Sequence, residues 1–283
     1  MVAGGTCFAA MSALIRPAAT LLHPLEVVFI RVVFGGLFML PLLLRSGRVI
    51  PPKGVRATAM VRAGADAISM ALWFVAIPVM PLATAIALNF TMPLFVTIFA
   101  VLALGEVVRA RRWSAIAVGF LGALIILKPF GHPIEIEALF VLVSAAVAGG
   151  ARIGVRIMLR QIGPNEIVAY HFLLLIPCLL VPALFVWRWP DAEALVLIAG
   201  LAAVGSLGHW CVAKALAVAE VSALAPFDYM QLVASAAIGY VAFGEVPGPS
   251  TWIGAVVIAG AAVYIARREA ALRREAGESA PKR

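Results

Sequence analysis

Long apolar runs, separated by short charged or Gly/Pro-rich breaks, make up almost the whole chain. Residues 27–44 are apolar at odd and even positions alike apart from Arg31, whereas the strands of a membrane barrel alternate apolar and polar residues. The pattern therefore predicts helices, and about 20 residues are enough for one helix to cross the hydrocarbon layer. The prediction is an all-α membrane protein with ten transmembrane helices, at about 2–21, 25–44, 57–77, 82–104, 112–129, 137–158, 165–187, 193–214, 221–243 and 250–267.

The composition excludes an ordinary soluble domain. Hydrophobic residues make up 64% of the 283 residues and charged residues 13%, with a mean hydropathy of +1.05, whereas only about half of a soluble domain is apolar. The net charge of +8 is concentrated in every second gap between the predicted helices, and basic loops face the cytoplasm. We therefore expect both termini in the cytoplasm, and the basic residues indicate membrane topology and not nucleic-acid binding.

The second half of the chain repeats the first at an offset of about 140 residues. Each unit holds five helices, an odd number, so the second unit must enter the membrane from the opposite side, which predicts two inverted repeats. The predicted division is 1–130 for the first repeat, 131–268 for the second and 269–283 for a charged cytoplasmic tail. The matched pairs are Arg16 and Arg156, Pro24 and Pro164, Glu26 and Glu166, Gly105 and Gly244, Glu106 and Glu245, and Trp113 and Trp252.

Some of these residues also resemble a known family. The resemblance rests on three features: Pro24 with Arg31 seven residues later, Leu104-Gly105-Glu106 with Trp113, and Phe243-Gly244-Glu245 with Trp252 and Gly254. In this pattern nearly the whole chain resembles the two EamA units of the drug/metabolite transporter superfamily. The resemblance implies a carrier in which helices 3, 4 and 6 rock against helices 1, 8 and 9. In overall appearance, though not in a motif, the chain is similar to the YddG-type amino-acid exporters.

The hypothesis that follows is a secondary transporter of the bacterial inner membrane that exports amino acids by alternating access around a midplane cavity. Import or export of a vitamin, nucleobase or other metabolite fits the same residues and stays open as the alternative. ATP is not expected as a partner because the chain has no Gly-Lys dipeptide, which a phosphate loop requires. An enzyme is disfavoured because the sequence has no catalytic constellation. We expect a small-molecule substrate and the lipid bilayer as partners, and neither cofactor nor metal.

Polar residues inside the apolar runs are expected to face a cavity, since burying them in hydrocarbon is costly. Asn89 and Asp228 occupy equivalent positions of the two repeats, and so do the next residues, Phe90 and Tyr229. In an inverted repeat these pairs lie at mirrored depths, so we predict that they flank one substrate cavity. A carboxylate, an amide and two rings suit an amino-acid zwitterion. The alternative is that Asn89 and Asp228 only link helices by hydrogen bonds.

Further substrate-binding candidates lie at helical spacing from this cavity or from one another. Gln231 follows Asp228 by three residues and therefore shares its helix face. The aromatic members of such stripes can equally be packing residues, and Arg152 is a candidate for binding a substrate carboxylate. The additional candidates are Gln231, Trp73, Met70, His209, Trp210 and Arg152.

Two ionisable residues are candidates for coupling transport to a proton. His209 changes charge near neutral pH, although a neutral, hydrogen-bonded histidine in the core is the alternative. Asp66 could carry a proton, or it could be the ion-pair partner of the nearby Arg62. Pro93 and Pro226 each remove a backbone hydrogen bond and are therefore predicted hinges.

Arg31 and Glu245 are open to a structural interpretation. Arg31 lies well inside the second helix, where it needs either an acidic partner such as Glu26 or a carboxylate of the substrate. Glu245 precedes a Pro/Gly turn, and we expect it, like Glu106, to cap the helix that follows it.

Overall fold

The computed structural model describes residues 2–46, 50–105, 110–127, 135–218 and 230–278, and every regular element in these ranges is an α-helix. The predicted all-helical class is therefore confirmed. Most of the predicted helix ends agree with the structure to within a few residues. The helices are α1 Val2–Leu21, α2 Pro24–Ser46, α3 Lys53–Ala76, α4 Leu82–Asn89, α5 Met92–Leu104, α6 Ala110–Leu127, α7 Ile136–Met158, α8 Pro164–Leu184, α9 Ala192–Val218, α10 Met230–Phe243 and α11 Pro249–Glu278.

Four segments in the described part of the chain are long and apolar enough to cross a bilayer: Val2–Leu21, Lys53–Ala76, Leu82–Ala103 and Ile136–Val155. Shorter apolar helices accompany them. Many large apolar side chains also lie on the outside of the molecule; Phe185, Trp189 and Val241 are among those more than four-fifths exposed. Such extensive apolar surface is typical of contact with lipid.

The fourth predicted helix is in fact two helices. α4 ends at Asn89, and α5 begins at Met92. Pro93 lies in the first turn of α5, where its missing N–H needs no acceptor, whereas in a continuous helix its ring would clash with the carbonyl of Asn89. The Thr91 hydroxyl donates to the Leu88 carbonyl at 2.7 Å and so satisfies one acceptor at the end of α4. The helix is therefore interrupted at Phe90 and Thr91, next to the predicted hinge Pro93, although both residues keep right-handed torsions.

The last helix is longer than predicted. α11 begins at Pro249 and continues to Glu278 instead of ending near 267. Its final third is rich in Ala, Arg and Glu, which favour helix, so the chain can leave the apolar layer without a turn. The predicted tail, 269–283, is thus helical as far as Glu278. The ninth predicted helix is described only from Met230 onward.

The helices pack mainly across the two halves of the sequence. α3 packs along α7, which also contacts α4 and α5, and we call these four the α3–α7 bundle. α1 packs along α9 and α10, and these three form the α1–α9 bundle. α2 contacts both bundles and packs along α8, while α6 packs along α11. Gly122 and Gly254 bring α6 and α11 together, since a methyl group on either glycine would lie within 2.9 Å of the other's carbonyl oxygen.

Two helices end in the same left-handed glycine turn. Gly105 closes α5 with φ 64°, and its N–H donates to the Val101 carbonyl at 3.1 Å. Gly244 closes α10 with φ 68°, and its N–H donates to the Tyr240 carbonyl at 3.0 Å. This backbone conformation strains any residue with a Cβ, which explains glycine at both positions.

Candidate functional site

The guanidinium of Arg31 is buried where α2 meets both bundles, with 7% of the residue exposed. Its Nη2 lies 3.4 Å from the sulfur of Met11 in α1, and its Nη1 lies 4.0 Å from the sulfur of Met70 in α3. The ring of Phe74 is 5.9 Å away. Thioether sulfur is a weak acceptor, so these neighbours leave most of the donor capacity of Arg31 unused.

Glu26, the acidic partner considered for Arg31, does not pair with it. Its Oε2 accepts a hydrogen bond from the backbone N–H of Arg188 at 3.3 Å, which ties the start of α2 to the segment between α8 and α9. Glu26 is fully buried, and its Oε1 has no hydrogen-bond partner among the described residues. The alternative in which Glu26 is the partner of Arg31 is therefore wrong, because Glu26, in the first turn of α2, accepts a hydrogen bond from the α8–α9 segment instead.

A second charged cluster joins α3 to α8. Asp66 Oδ2 lies 3.3 Å from Nε of Arg62, one turn earlier in α3, and 3.1 Å from Nδ1 of His171 in α8. Arg62 Nη2 also lies 3.2 Å from His171 Nδ1. All three side chains are at least four-fifths buried. The alternative in which Asp66 is the partner of Arg62 is thus present in the structure, and His171 is a third member that the sequence did not indicate.

Arg16 and Glu245 connect the two bundles at one end of the molecule. Arg16 Nη1 lies 2.5 Å from Glu245 Oε1, and the guanidinium also donates to the carbonyls of Ile77 and Met80 in the α3–α4 turn. Glu245 Oε2 accepts the N–H of Leu82, the first residue of α4, at 2.8 Å. The expectation that Glu245 caps the helix that follows it is therefore wrong, because the α10–α11 turn lies against α4. We call the Arg16–Glu245 pair the end latch.

A cavity of about 340 Å³ lies beside the end latch. It is bordered by the turns at Met80 and Gly248, so it lies at the helix ends, and the hydroxyls of Thr84 and Thr251 approach to 3.2 Å in its wall. Of the predicted substrate-binding residues that the structure describes, none lines this cavity.

The structure places three of the substrate-binding candidates at helix ends. Asn89 is the last residue of α4, and Phe90 lies in the break before α5; both are partly exposed. Gln231 lies in the first turn of α10 against Gly5 of α1, where an added methyl group would be only 3.3 Å from its Cβ.

Among the other candidates, Met70 lies beside the guanidinium of Arg31, and Trp73 packs partly buried against the main core. Arg152 is an exposed residue of α7. Asp228, Tyr229 and Pro226 lie outside the described residues. For His209 and Trp210 the backbone belongs to α9, but their side chains are likewise outside the described part of the structure.

The residues that sequence reasoning missed are those brought together by helix packing. Each of them lies on a different helix from the charged residue that it contacts, so no local sequence pattern indicates the contact. They are Met11 and Phe74, which contact Arg31, and His171, which contacts Asp66. Within the described ranges, no three His, Cys, Asp or Glu side chains lie close enough to share a metal ion.

The EamA-like transporter family matches the chain twice, over residues 1–128 and over residues 135–267. A riboflavin transporter of Vibrio cholerae serotype O1 is 35% identical over 203 residues, which cover 71% of this chain and 68% of that protein. An S-adenosylmethionine uptake transporter of Rickettsia prowazekii is 29% identical over 87% of this chain and 84% of its own length.

An exporter of pseudopaline from Pseudomonas aeruginosa is 31% identical over 268 residues, which are 92% of each chain. One solved structure, at 20% identity, matches this fold with a TM-score of 0.63 over 94% of this chain and 96% of that chain. These similarities extend over both halves of the sequence.

Proposed function

We propose that this chain, which belongs to the EamA-like transporter family of the drug/metabolite transporter superfamily, carries a vitamin or a related ring-bearing metabolite across the bacterial inner membrane. Family membership makes the protein a multi-pass membrane transporter and not an enzyme. Riboflavin is the first substrate to test. The observation that carries this choice is the 35% identity to the riboflavin transporter of Vibrio cholerae.

The comparisons favour the vitamin or metabolite alternative over amino-acid export. Relatives are named as carriers of riboflavin and S-adenosylmethionine, both of which contain flat, heteroaromatic rings. The surroundings of Arg31 suit such a ring, since Phe74 offers an aromatic face and Met11 and Met70 offer polarisable sulfur. An amino-acid zwitterion would leave these apolar contacts largely unused.

Alternating access between two inverted repeats is the mechanism that we propose. The family matches the two halves separately, and the third helix of each half packs on the first helix of the other, as α3 on α7 and α9 on α1. The second helices, α2 and α8, pack on each other, and so do the fifth helices, α6 and α11. The equivalent positions Gly105 and Gly244 also have the same left-handed turn. A two-fold relation between the halves accounts for all of these pairings.

The two bundles supply the moving parts in this proposal. α3, α4, α5 and α7 correspond to predicted helices 3, 4 and 6, and α1, α9 and α10 correspond to predicted helices 1, 8 and 9. The break between Asn89 and Met92 supports a binding role for Asn89 and Phe90, because interrupted helices expose backbone groups that can bind a substrate. Asp228 and Tyr229 are the proposed counterparts in the second repeat.

The proposed function is tested by counterflow in proteoliposomes. Vesicles loaded with unlabelled riboflavin, and without ATP, should accumulate labelled riboflavin at least about tenfold above protein-free vesicles, which is a conservative margin for a carrier. The same measurement, with vesicles loaded with S-adenosylmethionine or leucine and the labelled form of the same compound outside, tests the competing substrates. Exchange of leucine without exchange of riboflavin would instead support amino-acid export.

The same assay tests the proposed site. Asn89→Ala should reduce counterflow more than about tenfold at equal reconstitution, because the variant removes the amide that we place against the substrate. Gln161→Ala is the matched control, since Gln161 carries the same amide at the exposed α7–α8 turn. Normal counterflow by Asn89→Ala would remove Asn89 from the site while leaving the transport function intact.

A further inference from the structure

Within the described part of the chain, Arg31 is a buried cation without an acidic partner. Arg31 is 93% buried, and among the described residues no carboxylate lies within ion-pair distance of its guanidinium. Its Nε has no hydrogen-bond partner there either. A guanidinium has five N–H donors in a fixed plane. Among the described residues, Nη1 and Nη2 find thioether sulfur, which is a weak acceptor, and burial of Nε without an acceptor is unfavourable.

The acidic residues of the neighbouring helices have other partners. Glu26, on the same helix as Arg31, accepts the backbone N–H of Arg188. Asp66, on α3, is shared by Arg62 and His171. Because these two carboxylates are engaged elsewhere, neither of them compensates the positive charge of Arg31.

Arg31 also lies between the two parts that the transport mechanism moves. Met70 and Phe74 belong to α3 in the α3–α7 bundle, whereas Met11 belongs to α1 in the α1–α9 bundle. In alternating access, the substrate site lies between the moving bundles, so that it can open to either side. The position of Arg31 satisfies this requirement.

Gly205 of α9 lies directly beside the guanidinium of Arg31 and the side chain of Met11. A methyl group at Gly205 would lie 2.6 Å from the sulfur of Met11 and 3.3 Å from Nη2 of Arg31. Any larger residue would therefore displace Met11 or the guanidinium. Glycine at this position therefore lets the backbone of α9 pack directly against Met11 and Arg31 at the junction of α1, α2 and α9.

We infer that Arg31 anchors the substrate by donating paired hydrogen bonds to a planar, oxygen-rich edge, such as a carboxylate or the conjugated carbonyls of a heteroaromatic ring. The inference rests on the proposed transport function and defines the substrate class more narrowly. Arginine matches such an edge with two parallel N–H donors. Phe74 and the thioethers of Met11 and Met70 hold the apolar body of the same molecule.

The inference is tested by pairing ligand affinity with stability in the purified protein. Quenching of riboflavin fluorescence gives its Kd for the wild type, Arg31→Met and Arg31→Lys. We expect Arg31→Met to weaken binding at least about tenfold, since a charge-assisted pair of hydrogen bonds is lost, and Arg31→Lys to lie in between. Arg56→Met is the matched control, because Arg56 is exposed and its guanidinium donates to the Pro51 carbonyl at 3.4 Å.

The melting temperature without ligand separates an anchoring role from a structural one. Replacing an uncompensated buried charge with an apolar side chain of similar length should leave the melting temperature of Arg31→Met unchanged or raise it. A fall of several degrees would mean that Arg31 holds the helices together, and it would overturn the inference. Unchanged riboflavin affinity in Arg31→Met would overturn it as well.

Failure of the proposed substrate gives a different result. If the wild type binds S-adenosylmethionine and not riboflavin, the choice of riboflavin fails, and loss of S-adenosylmethionine binding in Arg31→Met still supports the anchor. If neither compound binds, the choice of both substrates fails. A fall in the melting temperature of Arg31→Met without ligand would then overturn the anchoring role, whereas an unchanged or higher melting temperature would support it.

Discussion

The Asp66 carboxylate stabilises two cationic neighbours on different helices. We predict that Asp66→Asn lowers the free energy of unfolding, because it leaves Arg62 and His171 facing each other without an anion. Removing one partner of a buried ion pair costs roughly 3–5 kcal/mol, and the small residual exposure of these side chains places our expectation near the lower limit. Thermal unfolding in detergent measures the effect. Glu193→Gln, at the exposed start of α9, is the control and should melt like the wild type.

Proton coupling is a separate prediction for Asp66 and His209. If either residue carries the coupled proton, its replacement in Asp66→Asn or His209→Ala should abolish the dependence of substrate uptake on an imposed proton gradient while leaving counterflow measurable. Uptake into proteoliposomes with and without a pH gradient measures this dependence. Gradient-driven uptake at the wild-type rate in Asp66→Asn would leave Asp66 with its structural role on α3 alone.

The sequence predicts a contact between two residues when they are close together in the chain, and it does not when they lie on separate helices. The Arg62–Asp66 pair was foreseeable, since residues four apart in a helix are neighbours. The addition of His171 was not, because it requires knowing that α3 packs on α8. The same holds for Arg31, because the sequence does not reveal that Glu26 and Asp66 contact other partners.

The break between α4 and α5 gives a prediction about one helix pair. Pro93→Ala restores the N–H that could bond to the carbonyl of Asn89 and removes the ring that prevents a continuous helix. If the break is a hinge, counterflow should fall at least about tenfold while the melting temperature stays equal or rises, since a helix interior prefers Ala to Pro by about 3 kcal/mol. Pro182→Ala in α8, outside both bundles, is the control. Full counterflow by Pro93→Ala would mean that the break is only structural.

The contacts of Glu245 in the end latch predict a stepwise loss of stability when they are removed one after the other. Glu245→Gln keeps an oxygen that can accept the N–H of Leu82 but loses the charge facing Arg16, whereas Glu245→Ala loses both contacts. A helix cap is worth about 1 kcal/mol. The melting temperature should therefore decrease in the order wild type, Glu245→Gln, Glu245→Ala. Equal melting of the two variants would show that the cap contributes nothing measurable.

Helices were predicted more accurately than the contacts between them. Hydrophobic runs determine where a helix can lie in a membrane, which explains the agreement for α1, α3 and α7. The end of α11 was missed because helix propensity, not hydrophobicity, extends it to Glu278. The partner of Glu245 was missed because a turn can cap any helix that packs beside it, and sequence order does not specify which one.

The protein as a whole combines two interleaved bundles. Each bundle takes helices from both halves of the sequence, so relative motion of the bundles changes the contacts of both repeats at once. The buried Arg31 and the end latch occupy different levels of this junction, one between α1, α2 and α3 and the other at the helix ends. In the proposed mechanism, the first level binds the substrate and the second closes one side of the binding site.

If the two repeats are inverted, equivalent turns of the two repeats lie on opposite sides of the membrane. Lys53 begins the third helix of the first repeat, and Trp189 lies just before the third helix of the second, so the proposed topology puts these two exposed positions on opposite sides of the membrane. In a variant without Cys7, Cys178 and Cys211, a membrane-impermeant maleimide added outside intact cells should label Trp189→Cys and not Lys53→Cys. The positive-inside rule gives the same assignment, since the basic gap at 45–56 precedes α3.

A second pair makes the labelling result decisive. Arg160→Cys, in the turn after α7, should behave like Lys53→Cys, and the contact between Gln161 and Gly54 already places those two turns at one end of the molecule. Val246→Cys, beside the end latch, should behave like Trp189→Cys. Labelling of Lys53→Cys and Trp189→Cys from the same side would mean that the two repeats run parallel. A shared two-fold site around Asn89 and Asp228 would then be impossible, and the alternating-access argument for Arg31 would fail with it, which leaves the ligand affinity of Arg31→Met to decide the role of Arg31.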